Sequence, residues 1–242
     1  MARPGGRVEA DIARFTDEVR VALGQELLCL VLHGSAAGDE WVPGRSNLNT
    51  AVVVPRVTLE VLERLAPLVG RWRRRGFALP VVMDRDYLAR ARDTFPMELD
   101  DIRRQHRLLA GTDSFEPLHL ERAALRRECE YEARGKLLRL RALFLETART
   151  RAAIDALMTE SLKSFLIVLR HLLRLRHEER AHGYHDVLAA GERVLGPLPT
   201  LRRLLEHRGG EARLGRAALR AEFGAYLAEV ERIVEAVDAL GA

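Results

Sequence analysis

The stretch "VLHGSAAGDEWVPGRSNLNTAVVV", residues 31–54, decides how this chain is read. It opens on the end of an apolar run, "ELLCLVLHG", which is short, bounded by glycine and rich in strand formers. It closes on "NTAVVV", a second Val-rich run stopped by Pro55. Both predict strands. Between them, Gly34 and Ser35 sit where a strand ends. Glycine lets backbone approach a ligand without an intervening Cβ, and the following amides and hydroxyl can bond phosphate oxygens. Gly-Ser after a strand is also a common turn, so the residues that follow carry the weight. Asn47 and Asn49 lie two apart, and a strand's period of two turns both side chains toward one face.

Outward from this stretch, the first half alternates helix and strand. Residues 8–24 place Ile12, Phe15, Val19 and Leu23 at helical spacing. "TLEVLERLAPLVGRWRRRG" returns to helix and "FALPVVMD" gives a third strand. The third strand is followed by the helices "RDYLARARDTF" and "FPMELDDIRRQH". An opening helix, two strands, a helix and a strand make a domain over 1–115.

From Leu120 the pattern is helical throughout. Leu125, Cys129, Leu137, Leu140 and Phe144 trace one apolar stripe, and Ile154, Met158, Leu162, Phe165, Leu169 and Leu172 trace another. Breaks at "GPLP" and at the glycines 209–210 separate the later helices. The last turns Leu219, Phe223, Tyr226, Leu227, Val230, Val234 and Val237 inward. The pattern therefore predicts an α/β domain followed by an all-α bundle over 116–242.

Composition narrows the function classes. Apolar residues make up 48% and charged residues 31% of 242 positions, ordinary for a globular chain. No run approaches the roughly 18 apolar residues of a membrane span, and the N-terminus lacks a secretory apolar core, so a cytoplasmic location without membrane contact is expected. All but two of the 39 basic residues are arginine, acids are interleaved with them, and the formal charge is only +4. That balance does not read as a nucleic-acid footprint. The one dense cluster, "RWRRRG" at 71–76, reads as the solvated end of a helix, whose dipole favours cations. Cys29 and Cys129 both fall in apolar patterns and are expected in the core rather than in a disulfide or metal site.

Apolar strand, Gly-Ser, ten residues, then Ser, two alternate positions and an apolar strand resembles the signature of the DNA polymerase beta-like nucleotidyltransferase superfamily. Within it, "LHGSAAGDEWVPGRSNLNTAVVV" is similar to the bacterial small-molecule branch, the aminoglycoside nucleotidyltransferases, which also carry a helical second domain. The resemblance implies the α+β class, a mixed sheet with flanking helices before the bundle, and a two-metal transfer of a nucleoside monophosphate to a hydroxyl. It implies that Gly34 and Ser35 form the phosphate loop, with Arg45 and Ser46 lining a nucleotide cleft between the two halves. It also implies metal-binding acids at 47 and 49, and a third acid on the later strand, at Leu79 or Pro80.

This chain departs from the pattern at those acids. Asn47 and Asn49 are near-isosteres of aspartate but neutral, and each offers one carbonyl and an NH₂ that repels a cation. Mg²⁺ loses water reluctantly and wants anionic oxygens. At ~4 Å and an effective dielectric near 20, each missing charge is worth roughly 4 kcal/mol or more to a divalent ion. The expectation is a vestigial metal site: a pseudoenzyme that binds a nucleotide or small metabolite and has no firm cofactor. The alternative is an active Mg²⁺-dependent transferase acting on a small hydroxylated molecule such as an aminoglycoside, its ligands drawn from Asp84 and Asp86. A second alternative is a non-catalytic interaction protein, a homodimer through its helical half.

Other groups are weighed beside these. Asp84 reads as the N-cap of "RDYLARARDTF". Asp39 and Glu40 read as exposed loop acids, while Glu98, Asp100 and Asp101 read as a helix's polar face and acidic first turn. His33 sits at a strand end beside the Gly-Ser. His171, His177, His182 and His185 crowd the helical half, where Arg180 and His185 fit the spacing of the HEPN ribonucleases by chance, "AHGYHD" reading as a loop.

Overall fold

The computed structural model describes residues 5–38, 41, 46–147, 150–177, 181, 183–209 and 219–241. The chain forms two compact units, Met1–Glu121 and Arg122–Ala242. The first unit extends past the boundary at 115 expected from sequence because Phe115 is fully buried against the sheet, with Leu118 and Leu120 packed beside it.

The first unit is built on strands β1 (Cys29–His33), β2 (Asn49–Val54), β3 (Val81–Asp84) and β4 (His106–Gly111). Among the described residues they form one sheet in the order β3-β2-β1-β4. β1 pairs antiparallel with β2 and β4, and β2 pairs parallel with β3, so the sheet is mixed. Its apolar strands alternate between two covered faces. Leu30, Leu32, Val52 and Val54 pack against helices α1 (Arg7–Leu23) and α2 (Leu59–Arg73). Cys29, Val31, Ala51 and Val53 pack against Leu88 and Ala91 near α3 (Arg85–Arg90), and against Leu99 and Ile102 of α4 (Pro96–Arg104).

α1 presents Ile12, Phe15, Val19 and Leu23 to the core, as its periodicity predicts. Phe15 meets Trp72 edge-on at 5.8 Å and Phe77 at 4.6 Å, which fixes the end of α2 over the sheet. The arginine cluster of α2 is exposed, but two members have partners on α1. Arg71 pairs with Glu18 at 2.6 Å, Arg75 pairs with Asp11, and Glu18 also accepts from the Trp72 indole. The cluster is a helix–helix clamp rather than a merely solvated end.

The second unit contains α5 (Arg122–Thr147), α6 (Arg151–Leu175), α7 (Tyr184–Leu195), α8 (Pro199–Gly209) and α9 (Leu219–Asp238). The stripes of α5 and α6 are buried as expected, except that Phe144 is half-buried and stacks on Phe223 at 4.1 Å. On α9, Leu227 is half-buried and Ile233 takes a fully buried place, since 226, 230, 233 and 237 trace the stripe more closely. The side chain of Leu219 lies outside the described residues. Glu229, only 5% exposed, accepts from the backbone N–H groups of Thr200 and Leu201 at 2.8 and 2.9 Å. A carboxylate from α9 thus caps the N-terminus of α8.

Candidate functional site

Gly34, Ser35 and Asn49, singled out by the sequence, lie at one end of the sheet. Register places Asn49 opposite His33 across β1–β2, and His33 opposite His106 across β1–β4. Directly opposed residues share a face, so β2, β1 and β4 carry Asn49, His33 and His106 in a row. The chain leaves β1 through Gly34, whose φ of +72° glycine adopts without strain. Its N–H donates to the Gln105 carbonyl at 3.3 Å, and its carbonyl accepts from Ala37 N–H at 2.9 Å, closing a single 3₁₀ turn over Gly34–Ala36. A Cβ at Gly34 would stand 3.1 Å from Asn49 Nδ2. The Asn49 carboxamide therefore lies against the Gly34–Ser35 turn. Asn47, one strand period earlier, is exposed.

The position expected for a third acid belongs to this same corner. Leu48 bridges Phe77 in parallel fashion, while the regular ladder begins at Ala51 with Val81. Residues 78–80 therefore pass beside Asn49 and Thr50 with one residue more than the strand they accompany, a bulged approach to β3. Leu79 is 63% exposed there, and Pro80 lacks even an N–H to donate.

His33 is the unusual group of the corner. Its Nε2 is buried and has no hydrogen-bond partner. Burial pushes its pKa down to about 4, a nearby Asp101 carboxylate opposing and His106 assisting. At neutral pH it is an uncharged ring. His106, by contrast, is fully engaged. Nδ1 lies 2.8 Å from the Ile102 carbonyl and Nε2 lies 2.6 Å from Asp113 Oδ2, so neither nitrogen is left for a ligand. Burial pushes the Asp113 carboxyl up, but hydrogen bonds from His106 and from the Phe115 and Glu116 N–H groups outweigh it and hold the group low.

Other acids considered from sequence stand elsewhere. Asp84 pairs with Val54, at the far end of β2 from Asn49, about 16 Å away at 3.3 Å per residue. Its Oδ1 accepts from Tyr87 N–H at 2.7 Å and its Oδ2 from Val57 N–H at 3.3 Å, bonds that hold its carboxyl below the ordinary range. It caps α3, and Asp86 is exposed in that helix's first turn. Neither joins the Asn49 corner. Asp100 is not on a polar face: it is 2% exposed and pairs with Arg103 and Arg104 at 2.8 and 2.9 Å along its own helix. Among the described residues no three His, Cys, Asp or Glu side chains are grouped to hold a metal ion. The donor set at 47, 49, 79 and 80 carries no anionic oxygen and does not fit Mg²⁺.

Arg45, Asp39 and Glu40 lie outside the described residues, as do Arg180 and His182; Ser46 is half-buried. His171 is fully buried in α6, His177 follows that helix, and His185 sits in the first turn of α7 rather than in a loop. Cys29 and Cys129 are buried free thiols, the latter pushed up to about 12 by burial with Glu128, Glu130 and Glu132 adding to it. Sequence reasoning missed His106, Gln105 and Asp113, and read Asp101 only as part of a helix's polar face and first turn. The available signal was "HRLLAG" ending in glycine, whose mixed polarity suits an edge strand.

No protein-family model matches the chain, and no curated protein matches it by sequence. In fold it is similar to spectinomycin adenyltransferase AAD(9) from Enterococcus faecialis, a structure solved with ATP and spectinomycin. The match has a TM-score of 0.57 at 12% identity and covers 93% of this chain and 98% of that one. The fold is nucleotidyltransferase-like. At such identity the likeness speaks for architecture, a mixed sheet followed by helices. No described helix is long and apolar enough to cross a membrane.

Proposed function

We propose that this nucleotidyltransferase-like protein binds a nucleotide or a small phosphorylated metabolite at the Gly34–Ser35 end of its sheet and does not transfer it. The observation that carries this reading is the pairing of Asn49 with His33 against the Gly34 turn. A neutral carboxamide stands at a position where metal-dependent transfer needs a carboxylate, with an uncharged imidazole opposite it. Those two groups themselves add no charge repulsion toward a phosphate. Gly34, Ser35 and Ser46, with Arg45 next to Ser46 in sequence, are assigned to the phosphates; Asn47 and Asn49 are vestigial metal positions. Support comes also from the AAD(9) neighbour, whose structure contains ATP.

The test is incubation with labelled ATP or GTP, Mg²⁺ or Mn²⁺, and spectinomycin or other polyols. Bound nucleotide without pyrophosphate release is expected. Label on an acceptor, lost when Asp84 or Asp86 is replaced by alanine, would instead establish a transferase using displaced acids.

A further inference from the structure

α5 is apolar on two opposite sides. Leu125, Cys129, Ala133, Leu137 and Leu140 face the core of the second unit. About 180° around the helix, at 100° per residue, lies a second stripe: Tyr131, Gly135, Leu138, Ala142 and Leu145. All five are exposed, the three large ones at 76%, 64% and 81%. Their spacing is four, three, four, three. That is the alternation of a coiled-coil seam, with large side chains at one core position and small ones at the other. A Cβ at Gly135 would meet nothing within 4 Å, so a partner helix can approach closely there.

The flanking charges select the partner and its direction. One edge of the seam is basic, with Arg127, Arg134 and Arg141; the other carries Glu132, Arg139 and Glu146. Two such helices side by side and parallel set the basic edge of one against the acidic edge of the other. Arg127 comes near the partner's Glu132, which in each copy also pairs with Lys136. Arg141, which also pairs with Glu231 of α9 at 2.7 Å, comes near the partner's Glu146. Antiparallel pairing would oppose basic edge to basic edge. The single like-charge meeting in the parallel arrangement, Arg134 with the partner's Arg139, is eased because Arg134 already reaches Asp238 of α9 at 3.0 Å. We infer that this face of α5 is a homodimer interface in which the helices of two copies pair in parallel through Tyr131, Leu138 and Leu145. The seam is about 21 Å long at 1.5 Å per residue, short for a coiled coil, so association depends on protein concentration.

Analytical ultracentrifugation of the full chain from low to high micromolar concentration tests this. A shift from monomer to twice that mass is expected, and Leu138→Glu should remain monomeric throughout with an unchanged melting temperature. Direction is read by disulfide trapping, since both native cysteines are buried. With diamide as oxidant, Ala142→Cys should cross-link rapidly to a covalent dimer, because equivalent positions face each other only in a parallel pair. Ala221→Cys, exposed on α9, should not. Monomer mass at every concentration, a dimer indifferent to Leu138→Glu, or equal cross-linking at 142 and 221 would overturn the inference. Should Leu138→Glu melt lower, the two cysteine variants decide alone.

Discussion

Asn49 faces His33 across the β1–β2 ladder, and its carboxamide lies against Gly34. The pair couples a carboxamide to a histidine that burial keeps neutral. An acid introduced at position 49 should therefore be felt by the ring. In Asn49→Asp the cross-strand carboxylate favours the imidazolium, and the His33 pKa is expected to rise from about 4 by about one unit or more. Proton NMR titration of the His33 ring reads this directly. An unchanged titration would separate the two residues and undo the corner as described.

The same histidine makes stability depend on pH. Its folded-state pKa lies below the ordinary 6.5, so the unfolded chain takes up the proton first. Stability is then fully present above about pH 6.5, falls as pH drops toward 4, and levels off below. The full span corresponds to about 3 kcal/mol. Urea unfolding of wild type and His33→Gln at pH 7, 5.5 and 4.5 should show the two diverging, with the wild type losing more.

Two glycines of the first unit differ in what surrounds them. Gly34→Ala forces φ +72° on a residue with a Cβ, 3.1 Å from a side chain that can move, a cost of about 1–2 kcal/mol. Gly111→Ala, at φ +78°, would place its Cβ 2.1 Å from the Leu28 backbone carbonyl. That atom moves only if the β1–β4 pairing opens. Thermal melts should rank Gly111→Ala well below Gly34→Ala; the opposite order contradicts this account of the sheet.

In the second unit, Glu229→Ala leaves the Thr200 and Leu201 N–H groups buried without an acceptor and is expected to cost about 2 kcal/mol or more. Glu229→Gln keeps one oxygen and should recover part of the loss. Equal stability of all three proteins would deny the cap.

Much of this was legible in the sequence. β1, β2 and β3 announce themselves as short apolar runs between breakers, and α1 by its strict period. β4 did not, because an edge strand with one buried residue alternates weakly, and its polar His106 and Arg107 look like the end of α4. "RDYLARARDTF" is helical only to Arg90; turns carry the chain over 91–94, and Phe95, the residue before Pro96, is held out of helical conformation. At the site, a Gly-Ser turn at a strand end could be read from the residues, while the weight on positions 47 and 49 comes from the family resemblance; β2 begins at Asn49, and Asn47 stands exposed before it. The roles of His33 and His106 could not be read, because they depend on a register that only the folded sheet sets.

The proposed neutral strand-end site holds a nucleotide without a divalent cation. Isothermal titration of the purified chain with ATP, once with EDTA and once with millimolar Mg²⁺, tests it most directly. Binding of comparable affinity in both buffers, weakened by Arg45→Ala and without heat from turnover, is the predicted result. Binding that appears only with Mg²⁺, or no binding in either buffer, would contradict it.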